Sequence, residues 1–432
     1  MRPELPAAAL LLALAGLATA QPAPTALAVP PAGTPPAAQP QPPAAQPQPQ
    51  PPAAQPQPRP AAPTAVAPPP VEPKWPDKVG GHDLRGWLQL LKDSPDGQVR
   101  EAAVKAIPLF GPSARKDALK PLIAATRDTD TGVKVNAILT LGGIGATDEK
   151  EVKEIADALA AAVNSGGGGG PVRLHAARSL AAYGPAAASA IGALKGIASD
   201  VSWETRAAVA AALGSIGRAP DDKKGPSKAA LDTLAARLKE EKSAAVRLEI
   251  TQSLLALGPP HYKPDSPADY IAAIKPYLDA VTDRLKVEKD RTVLVWLEMV
   301  AMTYDGQRVN EDNIRRLSRY ALDPDPVVRV AGLRALALLR ERAAPALPNI
   351  VDALRTDDLL TQVEAIAALA ALEKTAAAAV PELEKVKKGH KEPAVREMAG
   401  VAIDKILGRK PAVPAAPPPA GAPPAAPPPM MK

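Results

Sequence analysis

One thirteen-residue pattern, V-R-x-x-A-x-x-x-L-x-x-x-G, returns nine times and limits what this chain can fold into. It reads VREAAVKAIPLFG from Val99, VRLHAARSLAAYG from Val172, TRAAVAAALGSIG from Thr205, VRLEITQSLLALG from Val246 and VRVAGLRALALLR from Val328. The full set of starts is Val99, Val133, Val172, Thr205, Val246, Val293, Val328, Thr361 and Val395, spaced by 34, 39, 33, 41, 47, 35, 33 and 34 residues. With the first position numbered zero, positions 0, 3, 4, 7, 8 and 11 are mostly apolar, which is the spacing of one face of a helix. Upstream of each pattern runs a second amphipathic stretch, such as KDALKPLIAAT at 116–126 or AAPALPNIVDAL at 343–354. Two helices repeating every thirty-odd residues cannot bury their apolar faces alone. The stretches must stack on their neighbours, so the expected fold is all-α, an α-solenoid of about nine helix pairs.

Composition fits that reading. Aromatic residues make up 3% of the chain, with Phe110 the single phenylalanine, so the core must come from Ala, Leu, Val and Ile. Small side chains let helices approach closely. A glycine closes five units, at Gly111, Gly145, Gly184, Gly217 and Gly258, where a left-handed C-cap is expected. The longer spacings hold GGGGG at 166–170, APDDKKGPSK at 219–228 and GPPHYKPDSPADY at 258–270, which are loop formers expected at turns.

The chain ends differ. Residues 1–20, MRPELPAAALLLALAGLATA, read as a secretory signal with a short positive start and Ala18-Thr19-Ala20 before the cut. Glu4 weakens that start, which leaves an uncleaved anchor as the alternative. The apolar run is shorter than the ~20 residues a membrane span needs. Residues 21–76 are nearly all Pro, Ala and Gln, and residues 410–432 have the same character. Such segments cannot bury a core and read as disordered, semi-rigid polyproline spacers. Residues 77–409 are left as the repeat region.

Several function classes drop out. The chain has no cysteine, which excludes disulfides, thiolate metal sites and cysteine nucleophiles. Its net charge is +6, but Arg2, Arg59, Lys74, Lys410 and Lys432 lie outside the repeats against Glu4 and Glu72. The repeats are therefore close to neutral with signs interspersed, and lack the basic stripe of a nucleic-acid binder. The four histidines, His82, His175, His261 and His390, stand apart from one another without metal-ligand spacing. GGIG at 142–145 and the pentaglycine run lack the strand and the Gly-Lys-Ser of a phosphate loop.

The run of D-x-x-V-R-x-x-A-x-x-x-L-x-x-x-G units resembles the HEAT-repeat family, in particular the bacterial HEAT-like repeats of phycobilin lyases. The resemblance implies a right-handed superhelix whose second helices line a concave face and bind other proteins. Related solenoid hydroxylases hold iron through repeated His-Glu pairs, which this sequence lacks, so no cofactor is expected. Leu294 and Gln362 depart from the arginine of the pattern, and the last four units lack its closing glycine.

Two sets of residues follow. The first is a structural ladder in which the basic residue of each pattern meets an acid across adjacent units. Its members include Asp96, Arg100, Asp130, Lys134, Arg206, Arg247, Asp325, Arg329, Glu392 and Arg396. Acids four residues before the basic position suit helix caps. Others stand six before, at Asp128, Asp200, Glu241, Glu288 and Asp323, and Arg329 is expected to meet Asp325 or Asp323. The second set is a candidate partner-binding face at positions 2, 5, 6 and 9: Val295, Glu298, Met299, Met302, Val330, Leu333, Arg334, Val363 and Ile366. Packing against neighbouring helices is the competing account of these residues. The expected function is a non-catalytic, exported scaffold for protein partners in the bacterial envelope. An enzyme or cofactor-handling solenoid and a plain envelope spacer are the alternatives. Partner identity and oligomeric state are not legible.

Overall fold

The structure is a computed structural model and describes residues 75–165, 169–219, 225–260 and 267–409. The signal, the proline-rich spacer up to residue 74, the tail from 410 and His261 lie outside the described residues. Those described fall within one compact unit.

Every pattern start lies in the first turn of a helix. The nine second helices are α2 (Gly97–Ala106), α4 (Thr131–Ile144), α6 (Gly169–Ala181), α8 (Trp203–Ile216), α10 (Ala244–Leu257), α12 (Arg291–Tyr304), α14 (Pro326–Leu339), α16 (Leu359–Leu372) and α18 (Pro393–Ile406). Before each stands a first helix: α1 (Leu84–Asp93), α3 (Arg115–Ala125), α5 (Glu149–Asn164), α7 (Ile191–Gly196), α9 (Lys228–Glu240), α11 (Pro267–Val287), α13 (Glu311–Ser318), α15 (Leu347–Ala353) and α17 (Val380–Gly389). The described residues contain no strand, only an isolated bridge between Val79 and His82. Each second helix packs on the neighbouring second helices and on its own first helix. The fold is an α-solenoid of nine helix pairs.

Being covered on several sides decides which positions are buried. Positions 0, 4, 7, 8 and 11 form core, as the apolar period predicts, whereas position 3 of that period is buried only at Ala208, Trp296 and Ala331. Position 5 is buried in eight of the nine units, at Val104, Ile138, Ala177, Ala210, Thr251, Glu298, Leu333 and Ile366. A helix with a neighbour on each flank hides a wider arc than a two-layer amphipathic helix.

Neighbouring second helices are also tied in a fixed register. Ser179 at position 7 donates to the Ile138 carbonyl at 3.0 Å, and Ser253, also at position 7, donates to the Ala210 carbonyl at 2.9 Å. Glycine lets the helices approach there: a Cβ on Gly142 would lie 2.5 Å from Ser179 Oγ, and one on Gly214 would lie 2.6 Å from Ser253. Tyrosines at position 11 reach the position 8 carbonyl of the unit before, Tyr183 to Leu141 and Tyr304 to Leu254. These hydroxyls satisfy buried polar groups while fixing the rotation of one unit on the next.

The closing glycines need correction in two respects. Gly111, Gly145 and Gly258 have φ of 78°, 72° and 72°, but ψ near 180°. That is an extended conformation reserved for glycine, not the left-handed helical cap expected. Gly217 has φ −76° and needs no such freedom. It is glycine because a Cβ would meet Ala230 at 2.6 Å. In the seventh and eighth units Arg340 and Glu373 take the strained conformation without being glycine, at φ 54° and 51°.

Candidate interaction face

Between the units the polar side chains form one repeated device. In the first unit the Arg100 guanidinium gives Nη1 to the carbonyls of Ser94 and Pro95, in its own entry turn, at 2.9 and 3.1 Å. Its other edge grips Asp128 of the next unit at 2.8 and 2.7 Å. Arg206 repeats this with the carbonyls of Asp200 and Val201 and with Glu241 at 2.8 Å. Arg247 does so with Lys242 and with Glu288, at 2.6 and 2.7 Å. Arg173 meets Asp200 at 2.6 Å. A planar fork suits this double duty, which a lysine could not perform.

The acid six residues before the basic position receives the arginine. It also accepts a backbone N–H two residues on: Asp128 from Asp130, Asp200 from Ser202, Glu241 from Ser243, Glu288 from Asp290 and Asp323 from Asp325. The acid four before is the helix N-cap: Asp96 accepts from Gln98, Asp130 from Val133 and Asp325 from Val327. Burial raises the Glu241 and Glu288 carboxyls, but their arginines and backbone donors outweigh it and lower both to about 2. Asp128 is lowered chiefly by its hydrogen bond from Arg100.

Several ladder residues stand elsewhere than expected. Arg329 does not pair with the carboxylate of Asp325 or Asp323. Asp325 is spent on its cap, and Asp323 is held by Arg291 at 2.8 Å. Arg329 instead takes the Asp323 and Pro324 carbonyls, Thr361 Oγ1 at 3.1 Å, and Asp358 at 3.7 Å. Arg291 stands one helical turn before Leu294 and replaces the missing arginine. Among the described residues Lys134 meets no carboxylate within ion-pair distance; the matching place in the third unit falls at Gly167, outside them. Among the described residues Arg396, in the last of the units, grips the His390 and Lys391 carbonyls and meets no carboxylate within ion-pair distance. Glu392 makes no side-chain cap.

The candidate partner face also needs correction. Val295, Glu298, Met299, Met302, Val330, Leu333 and Ile366 are buried, all on helices flanked by neighbours. Only Val363 and Arg334 are partly open, and Arg334 is bound to Glu364 at 2.6 Å. The open register of the second helices is instead positions −1, 6 and 10, with position 3 open in part and buried at Ala208, Trp296 and Ala331. It carries Leu109, Leu139, Val327, Leu338, Leu360 and Val401 as exposed apolar groups, with Lys105, Asn136, Arg178 and Glu249 between them. Trp203, one residue further out, is 48% exposed. The face narrows in the middle, where Trp296 and Met299 close it in the sixth unit.

Three groups on these helices are under electrostatic tension. Glu298 is 7% exposed in a register otherwise filled by Val, Ile, Ala, Thr, Leu and Gly. Arg316 reaches its Oε1 at 3.0 Å, Oε2 has no partner, and burial raises the carboxyl. Glu249 on the open register is raised by burial as well. His175 is half-buried with Nδ1 unpartnered, and burial lowers it. A cavity of about 330 Å³ lies between α15 and α17, lined by Leu354, Arg355, Glu382, Lys385, Val386, Gly389 and His390. Among the described residues no cluster of three or more His, Asp or Glu side chains is placed to hold a metal ion. No described helix is long and apolar enough to cross a membrane.

Paired helices in register, tied by arginine rungs and leaving one face of each second helix open, define an α-solenoid of the kind suited to binding proteins. The family model for HEAT repeats matches residues 84–166 and 170–255, so the first five units are HEAT repeats, and the same register continues to residue 409. No curated protein matches the chain. Among known structures it is similar to the complex of CpcE and CpcF of phycocyanin lyase from Nostoc sp. PCC7120, at 18% identity over 67% of this chain and 94% of that one, with a TM-score of 0.38. It is also similar to a homology model of the full-length AP-3 complex in an intermediate open conformation, at 14% identity over 72% and 55% of the two chains and a TM-score of 0.44. An engineered protein matches at 19% identity over 68% and 97%, with a TM-score of 0.30.

Proposed function

We propose that this chain is a non-catalytic HEAT-repeat scaffold, exported to the bacterial cell envelope, that binds protein partners along the open register of its second helices. One observation carries the reading. Exposed apolar side chains stand in one register of the second helices at both ends of the stack, at Leu109 and Leu139 and again at Val327, Leu338, Leu360 and Val401. Apolar anchors spread over several units with charged groups between them suit an extended protein segment better than a small molecule. Export rests on the sequence of residues 1–20.

Photo-crosslinking in the intact cell tests both parts. A crosslinker at Leu139, Ala211 or Leu338 should give discrete protein adducts in the envelope fraction, and one at Lys153 on a first helix should give none. Equal labelling from both faces would leave a plain spacer, and adducts with a small cofactor would point to the enzyme reading. N-terminal sequencing of the recovered protein should begin at Gln21; retention of Met1 would overturn cleavage.

A further inference from the structure

The last junction of the stack departs from all the others in a way that has a chemical consequence. His390 stands six residues before Arg396, the place that holds Asp128, Asp200, Glu241, Glu288 and Asp323 elsewhere. Gln362 stands where the preceding unit would carry its arginine. The two still form a rung: His390 Nε2 lies 3.0 Å from Gln362 Oε1. Gln362 Nε2 donates to the Thr356 carbonyl at 2.7 Å, as the arginines do to their own entry turns. His390 Nδ1 accepts the Glu392 N–H at 3.1 Å, the same two-residue turn that the carboxylates make. A ring nitrogen that accepts carries no hydrogen, so this geometry places the ring hydrogen on Nε2.

We propose that this junction is a pH-sensitive hinge, in which protonation of His390 breaks the rung's turn and loosens the ninth helix pair from the stack. A hydrogen on Nδ1 would face the Glu392 N–H, donor against donor, and leave that amide without its acceptor. The added charge would also be poorly placed. From α18 the Arg396 guanidinium sits on the His390 carbonyl at 2.6 Å, and Lys391 is in the turn itself. Arg355, after α15, and Lys385 of α17 line the same cavity as the ring. Of the nearby acids, Glu382 is occupied by Lys385 at 2.9 Å and Arg355 at 3.8 Å, Asp352 by Arg355, and Asp358 by Thr361 and Arg329. Glu392 remains, in the same turn. Carboxylate rungs elsewhere in the stack keep their charge through the range in which imidazole changes its own. The hinge is independent of what the open face binds.

Segment-resolved hydrogen exchange of the full chain between pH 8 and pH 5.5, corrected for the intrinsic rate, tests this. One linked proton changes a local opening constant by up to about tenfold per pH unit. Protection at 380–409 should fall by that order while 84–255 holds steady. His390→Asn keeps a neutral acceptor and should abolish the step, as should the double variant Q362R/H390D, which writes an arginine–carboxylate rung. A step that survives either variant, or equal protection at both pH values, overturns the hinge. Should the variants misfold, nitrogen-15 shifts of the His390 ring in the unaltered protein decide: the hydrogen is expected on Nε2 at pH 8, and finding it on Nδ1 overturns the proposal.

Discussion

At the scale of single residues, burial sets what each rung contributes. The Arg247 and Glu288 side chains are 8% and 0% exposed, so removing the arginine strands a buried carboxylate with Arg284 as its remaining ion-pair partner. Arg247→Ala should destabilise by about 3 kcal/mol, the cost of breaking a buried pair on one side. Chemical denaturation reads it, and a loss under about 1 kcal/mol would make the rung an ordinary surface pair. Arg340 and Glu373 give the opposite sign. Each holds a conformation that costs a non-glycine residue on the order of 1–3 kcal/mol. Glycine there relieves that strain but adds entropy to the unfolded chain. Arg340→Gly and Glu373→Gly should each stabilise by about 1 kcal/mol, and a shift to lower midpoint would show that side-chain contacts outweigh the strain. The sequence reveals where the closing glycine is missing but not that the strained turn persists without it, because the following three-ten segment enforces the turn through packing.

At the scale of helices, the contact between α8 and α10 depends on an absent side chain. Gly214→Ala would place a methyl 2.6 Å from Ser253 and 2.9 Å from its backbone, so one helix must move. The expected cost is about 1–3 kcal/mol of overpacking. Faster hydrogen exchange confined to 203–257 should report it, and unchanged exchange would mean the helices slide apart freely. Helix existence, the pattern starts and most N-caps were legible because they depend on local chemistry: period, an acid before the first turn, a proline at the start. The split between open and covered positions was not. Whether position 3 or position 5 faces solvent depends on the angle at which the next helix crosses, and the two lie within one turn of each other. Glu298 shows the consequence, since a carboxylate in that register reads as a surface residue until its neighbours are in place.

At the scale of the whole molecule, the buried apolar residues form two bodies that meet on α12, one reaching from Leu91 to Tyr304 and the other from Val295 to Ile406. Solenoid stability is a sum of nearest-neighbour terms, so a weak joint between the bodies divides it. Denaturation followed by segment-resolved exchange should give separate transitions for 84–290 and 311–406; a single shared midpoint would show that α12 couples them fully. Acid should act on the whole stack through the rungs. Glu241 and Glu288 sit at about 2 in the fold, below the ordinary carboxylate range near 4.3 in the unfolded chain. Their contribution is complete above about pH 5 and is lost as pH falls toward 2. Glu298 is raised and works the other way, favouring the fold slightly as it protonates. A thermal midpoint that falls steeply below pH 5 is expected, and a flat profile to pH 3 would contradict the buried rungs. The sequence by itself determined the repeat, the number of pairs and where the second helices start, because each is written in short-range periodicity and capping. Only the tertiary structure decided which acid each arginine grips, which face stays open, and that a histidine stands in for a carboxylate at the end. Those outcomes depend on residues about thirty positions apart brought together by stacking, and no local pattern encodes the crossing that aligns them.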